Sequence, residues 1–558
     1  MENNGNPKIR NTTMPLQDLL QMPAILSRED RLLIVDQALA MLEMSYIHLP
    51  QKRAMYAVDP IQRLRLLKYR IEQTRRSQLQ DEMLFHNEML EIFTLVRDLH
   101  TNYLLPAPYN ERIAYLPFLI EQYFDEHMAC RFIVTWIEPG AEPDPQFVRE
   151  VEVLYWNGVP IKRAVELNAA RQAGSNPDAH FERGLAAMTI RPLLRTLPPD
   201  EEWVRLRYRA LNGRERDAEF LWRVYSQPQN ESADHQARGT GEALAFGFDI
   251  QGSRTQKARA DLFFPQVARI ETMPERERLK YSSTPDSYPT TLPTMLRARD
   301  QKTTYGNFGY IRVFTFMHPE ADAFVAEFQR LIQLLPQNGL IIDVRGNGGG
   351  NILACERLLQ LLTPTEIEPA RFQFINSPLT LALCRRYDDL REWVTSIAQA
   401  VETGAIQSLG FPITSKESCN AIGQVYRGPV VLITDARCYS ATDLFAAGFQ
   451  DHQIGKILGT SGNTGAGGAN VWTHTDLCAL VGRLSAANPM RKLFSPLPQG
   501  AEMRVAIRRC LRVRENAGIP IEDLGVVPDA RHFMTRRDLL HDNLELLDKA
   551  ALLLNDMN

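Results

Sequence analysis

Leu340-Ile-Ile-Asp-Val-Arg345 is a short branched apolar run, and Gly346-Asn-Gly-Gly-Gly-Asn351 follows it at once. A run of this kind bounded by glycines predicts a buried strand, and the apolar pattern over 352–362 predicts a helix. Strand, glycine loop and helix are thus expected in immediate succession. Consecutive glycines let backbone amides approach a ligand and converge on negative charge. A phosphate loop would need GxxxxGK[ST], which is absent, and GxGxxG would need glycine where Asn351 or Leu353 stands. An oxyanion-binding loop and a merely tight turn both stay open.

A second turn of the same construction follows. Val430-Val-Leu-Ile-Thr-Asp-Ala-Arg-Cys-Tyr-Ser440-Ala-Thr-Asp443 leads from a strand into the helical LFAAGFQDH. A hydroxyl in the first helical turn feels the positive end of the macrodipole, which favours a developing alkoxide. The same four residues, Ser440 to Asp443, also read as an ordinary capping box. A serine needs a base. Among eleven histidines, His100 in Val96-Arg-Asp-Leu-His-Thr-Asn102 stands at the expected end of a helix, though a lone histidine is as readily a surface or satisfied residue. No HExxH or comparable spacing suggests a catalytic metal.

Around these turns strands and helices alternate from about residue 305 to the C-terminus: GYIRVFTF, a helix over 321–335, LIIDVR, a helix over 352–362, PVVLIT and a helix from 441. That alternation predicts a layered α/β domain, assigned to 303–558. Residues 1–110 show helical spacing, with a capping-box pattern at Ser27-Arg-Glu-Asp30, and carry His100. Residues 111–225 hold short β-type runs and an Asn-Gly turn at Trp156-Asn-Gly-Val-Pro160, similar to the hairpin of PDZ domains, with a plain β-rich spacer as the alternative. Residues 226–302 are polar with brief apolar islands and read as a long insertion or linker.

At 558 residues the chain is too long for one core, and two to four domains are expected. With 63 basic and 67 acidic residues the net charge is -4, which offers no general field for nucleic acid or anionic membrane. The first residues lack the apolar core of a signal peptide, and no apolar run approaches a bilayer span. Seven cysteines, odd in number and without a CxxC pair, suit a reducing compartment. A cytoplasmic location is therefore expected, with non-classical export left open.

LIIDVRGNGGGN, GPVVLITDARCYSATDLFAAGFQD and GIPIEDLGVVPD resemble, in that order, three landmark segments of the tail-specific (C-terminal-processing) serine proteases. The resemblance is good over 303–535 and weaker over 88–165. It implies that Ser440 is the nucleophile and that Asp443 is the acidic residue following it. The usual lysine base would stand in the segment that here reads Thr464-Gly-Ala-Gly467, where Ala466 takes its place. That departure resembles the tricorn-type and chlamydial protease-like activity factor (CPAF) branch, which uses Ser-His-Glu. The resemblance then implies His100 as base and Glu522 as its partner, with Asp523 as a fallback for the third role. It further implies an oxyanion hole from the Ala441 amide with Gly349 or Gly350, a crotonase-like ββα spiral core, a PDZ-like module, and an inhibitory role for 226–302 as in the chlamydial relative.

The expected function is a serine endopeptidase acting on unfolded or extended polypeptide, without cofactor or metal. A second copy of the chain is allowed as a partner, while nucleic acid and membrane insertion are not expected. The alternatives are an inactive peptide- or ligand-binding protein on the same scaffold and, more remotely, a nucleotide-binding α/β enzyme.

Overall fold

The computed structural model describes residues 13–75, 81–226, 246–263 and 287–557. The N-terminal region is helical, with Arg28–Ser45, Leu49–Tyr56, Pro60–Gln73 and Glu82–Thr94 as its main helices. Ser27 caps the first of these, accepting from the Asp30 amide while the Asp30 carboxylate accepts from the Ser27 amide. The spacing of Ile34, Val35, Ala38, Met41 and Leu42 puts their side chains on one buried face.

Residues 118–221 build an antiparallel sheet in the order Glu215–Leu221, Trp203–Arg209, Glu152–Trp156, Cys130–Ile137, Phe118–Phe124. Asn157 and Gly158, with φ of 48° and 79°, turn the short hairpin from Glu152–Trp156 to Val159–Pro160. The helices Ile161–Ala169 and Pro177–Thr189 follow.

The region that carries the two strand-to-helix turns is a mixed seven-stranded sheet. Its order is Ser287–Tyr288, Leu296–Thr303, Gly306–Val313, Leu340–Asp343, Val430–Thr434, Lys456–Gly459, Ala530–Arg531, antiparallel at the first two junctions and parallel thereafter. Leu340–Asp343 and Val430–Thr434 are parallel neighbours, so the glycine loop and the Ser440 turn emerge side by side from the carboxyl ends of the sheet. A second sheet centres on Glu502–Leu511, which pairs with Asn102–Leu104, Arg371–Phe374 and Ala469–Thr473.

Three expectations need amending. The end of the expected insertion, 287–302, belongs to the seven-stranded sheet, because Leu296 and Ala298 are buried while Arg297 between them is exposed. Residues 250–263 form a 14-residue helix instead of an irregular linker. The largest apolar cluster also crosses the expected boundaries, running from Leu16 through the N-terminal helices and the β-rich region to Val526, with four smaller clusters beside it. The rest of the insertion, 227–245 and 264–286, lies outside the described residues.

Candidate active site

Ser440 has φ 60° and ψ -119°, a backbone conformation uncommon for a residue with a Cβ, at the junction of strand and helix Ala441–Asp451. Strain of this kind concentrates where a side chain must be held out of a turn for use. The turn is fastened by Asp443, whose buried carboxylate accepts from the amides of Ser440 (2.9 Å), Ala466 (3.2 Å) and Gly467 (2.9 Å). Burial pushes this carboxyl up to about 6 despite those donors. Asp443 thus ties the serine turn to the loop that carries Ala466.

The structure brings His100 to this serine. Its Nε2 lies 2.9 Å from Ser440 Oγ, across 340 residues of sequence, and both side chains are fully buried. Asp98 holds the histidine's backbone, its carboxylate accepting from His100 N at 2.8 Å and from Thr101 Oγ1 at 3.2 Å. Immediately afterwards the chain joins the second sheet through Asn102–Leu104, which fixes the position of the ring. Tyr439 packs against the imidazole with ring centroids 4.6 Å apart. Burial lowers the His100 pKa to about 3, with Asp98 the strongest charge working the other way. The ring is therefore neutral above that pH and able to accept a proton.

Glu522 enters the same buried region but is bonded elsewhere. Its Oε1 is 2.6 Å from Lys52 Nζ, and Lys52 also reaches Asp523 Oδ1 at 2.6 Å. Glu522 Oε2 lies 3.9 Å from His48 Nδ1, which is itself 3.0 Å from Asp98 Oδ2. Among the described residues, neither His100 Nδ1 nor Glu522 Oε2 has a hydrogen-bond partner. Burial opposes the charge on Lys52, yet Glu522 and Asp523 outweigh it and hold the ammonium above lysine's ordinary pKa. Glu522 is raised well above the usual carboxylate range, by burial first and by Asp98 next. Lys52 pairs with Glu522 and Asp523 while Asp98 pairs with His48, so three buried acidic side chains face one ammonium and the cluster carries surplus negative charge close to His100.

His48, Asp98 and Glu522 offer donor atoms within 4.8 Å of one another, a metal-like set among the described residues. Lys52 already supplies a cation there, bonded to Glu522 Oε1, so the residues fit an ammonium-bridged network better than a metal. Sequence reading did not single out His48 or Lys52. They sit at a helix start and on the following turn with no diagnostic spacing, and Asp98 was visible only as a neighbour of His100.

The cleft contains a strand from this chain. Phe246–Phe248 pairs antiparallel with Gly349–Asn351, placing Gly247 opposite Gly350. Asp249 N donates to Gly348 O at 2.8 Å, and the alternation of an antiparallel ladder makes Gly247–Gly350 the next hydrogen-bonded pair. That aims the Gly350 amide at the Gly247 carbonyl, whereas the Gly349 amide is bonded to Asn347 Oδ1 at 3.0 Å. Gly349, at φ 102°, leaves the room this requires. A Cβ there would lie 2.7 Å from Gly247 O and 2.8 Å from Ser440 Cβ. A cavity of about 410 Å³ is lined by Glu182, Arg183, Asp249, Gln256 and Arg437, among others, and does not include Ser440 among its walls.

Residues 307–531 match peptidase family S41. The chain carries a peptidase family S41 domain. By that family domain it is a serine peptidase. Among solved structures, mature CPAF complexed with lactacystin is similar over 95% of this chain and 99% of that chain, with 16% identity and a TM-score of 0.63. Mature CPAF alone gives 95% and 98% coverage, 16% identity and a TM-score of 0.62. The photosystem II D1 C-terminal processing protease covers 90% of this chain and 93% of its own at 12% identity, with a TM-score of 0.36. At these identities the CPAF likeness speaks to fold alone. No curated protein matches the sequence. No single helix among the described residues is long and apolar enough to cross a membrane.

Proposed function

We propose that this S41 peptidase is an endopeptidase of extended polypeptide whose nucleophile is Ser440 and whose base is His100. The observation that carries the reading is the 2.9 Å approach of His100 Nε2 to Ser440 Oγ. The serine hydroxyl passes its proton to Nε2 as Oγ attacks the scissile carbonyl carbon. The imidazolium then returns that proton to the leaving amine, and water repeats the sequence on the acyl-enzyme. The Ala441 and Gly350 amides hold the oxyanion. Gly350 is favoured over Gly349, whose N–H is committed to Asn347. Glu522, with Asp98 and Asp523 beside it, stabilises the imidazolium through the surplus negative charge of the cluster.

The same reading assigns 226–302 an inhibitory part. Phe246–Phe248 lies along the glycine strand as an added substrate strand would, with Gly247 against Ser440. Displacing that strand opens the cleft.

Ser440→Ala is expected to abolish both fluorophosphonate labelling and hydrolysis of an unfolded protein, with an unchanged near-UV circular dichroism spectrum. His100→Gln is expected to lower turnover about 100- to 10,000-fold. Labelling is to be compared before and after limited proteolysis of the segment. Labelling that survives in Ser440→Ala removes Ser440 from the reaction. Equal labelling of intact and cut chain removes the inhibitory role.

A further inference from the structure

Three buried guanidinium groups converge at one end of the cleft. Arg183 stands on helix Pro177–Thr189, Arg195 follows strand Ile190–Pro192, and Arg504 stands on strand Glu502–Leu511, with exposures of 4%, 8% and 2%. Beside them lies Asp249 of the cleft segment, itself 1% exposed, whose Oδ2 accepts from Arg183 Nη1. Burial pushes the Arg195 guanidinium down to about 10, with Asp249 the strongest charge opposing that and Arg183 and Arg504 adding to it. Arg195 Nη1 and Arg183 Nε and Nη2 have no hydrogen-bond partner among the described residues.

One residue nearer the nucleophile, the Phe248 ring lies 4.6 Å from Arg504 Cζ and packs with Leu104, Leu194 and Ile250. Arg504 Nη2 also donates to Phe248 O at 3.0 Å.

Asp249 has a simpler role as well, since it precedes helix Ile250–Phe263 and its carbonyl accepts from Ser253 N. Capping needs one short polar side chain and gives no reason to bury three cations. Buried charges persist where they are paired. The arginines belong to the permanent walls of the cleft, while their carboxylate belongs to the strand that must leave.

We propose that Arg183, Arg195 and Arg504 form a substrate subsite for an aspartate or glutamate, placed two residues beyond the scissile carbonyl and preceded by an aromatic residue. The segment's Gly247-Phe248-Asp249 then shows the register, with Gly247 O standing in for the scissile carbonyl. This rests on the endopeptidase reading and on the segment lying in the substrate's place. Substrates are thereby extended chains carrying an aromatic-acidic pair on the leaving side of the cut.

The test uses internally quenched peptides containing Gly-Phe-Asp, Gly-Phe-Asn or Gly-Phe-Lys, presented to the full chain after limited proteolysis. The Asp peptide is expected to exceed the Asn peptide about tenfold in kcat/KM, the Lys peptide to be poorest, and Arg195→Gln to bring the Asp/Asn ratio towards one. A ratio of one in the unaltered protein, or the same ratio in Arg195→Gln, overturns the subsite. Asp249→Asn in the intact chain keeps the helix cap and removes the charge, and is expected to speed fluorophosphonate labelling of Ser440 about tenfold. Unchanged labelling counts against the proposal. Should no peptide be cut and no label taken up, the endopeptidase reading fails, and fluorescence anisotropy of the labelled peptides on Ser440→Ala decides the subsite separately. Tighter binding of Asp than Asn upholds it, and equal binding ends it.

Discussion

A methyl group at position 247 would lie 2.4 Å from Ser440 Oγ and 2.6 Å from the Ala469 carbonyl. Neither neighbour can yield, because Ser440 is fixed by its strained turn and Ala469 sits in a paired strand. Gly247→Ala is therefore expected to lift the strand out of the cleft without touching any other contact. Fluorophosphonate labelling of the intact chain should rise about tenfold, and a rate equal to that of the unaltered protein would mean the strand does not guard the serine. The same logic of missing atoms applies at Gly467, where a Cβ would come within 2.0 Å of the Tyr439 ring. The ring would then have to shift, and His100 packs against it. Gly467→Ala should destabilise the protein by about 1–3 kcal/mol, the range of an overpacked core, and slow labelling as well. Unchanged melting temperature and labelling would show that the loop has slack.

At the scale of elements, the two strand-to-helix turns were legible because the apolar runs and the helical spacing agree, with glycines marking the first of them. Their adjacency was not, since strand order depends on pairings between residues far apart. His100 and Ser440 could be joined only through the family resemblance, because no spacing rule connects positions 340 residues apart. The helix Ile250–Phe263 escaped notice for a physical reason. It buries Ile250, Gln251, Ala258 and Phe263 but is held largely by polar contacts, Gln251 to Gln172, Gln256 to Gly346 O and Arg259 to Glu121, so it has no apolar stripe to read. Leu296–Thr303 was hidden likewise, its charged outward residues resembling those of a linker.

Across the whole molecule, Lys52 fastens the N-terminal helices to Glu522 and Asp523 near the other end of the chain. Removing one member of such a buried set leaves charges without compensation, which typically costs about 3–5 kcal/mol. Lys52→Met should show that loss at pH 8. The sign of its pH dependence follows from Glu522, which burial already raises above its ordinary value. A carboxyl raised in the folded state binds more protons than in the unfolded chain, so stability falls as pH climbs from the unfolded to the folded pKa. Taking away the ammonium raises the carboxyls further, and the variant should recover part of its deficit at pH 5. An equal drop in melting temperature at pH 5 and pH 8 would show that charge is not what Lys52 contributes. The pairing of Asn102–Leu104 with Glu502–Leu511 is a second bond between the ends, and it bears on the molecule's fate after cutting. A single nick between residues 227 and 286 would put imidazole and alcohol on different polypeptides, yet the strand ladder and the Lys52 clasp would keep the halves in one particle. Such an enzyme would run as two bands in denaturing gels and as one species in solution, with each fragment inert once separated.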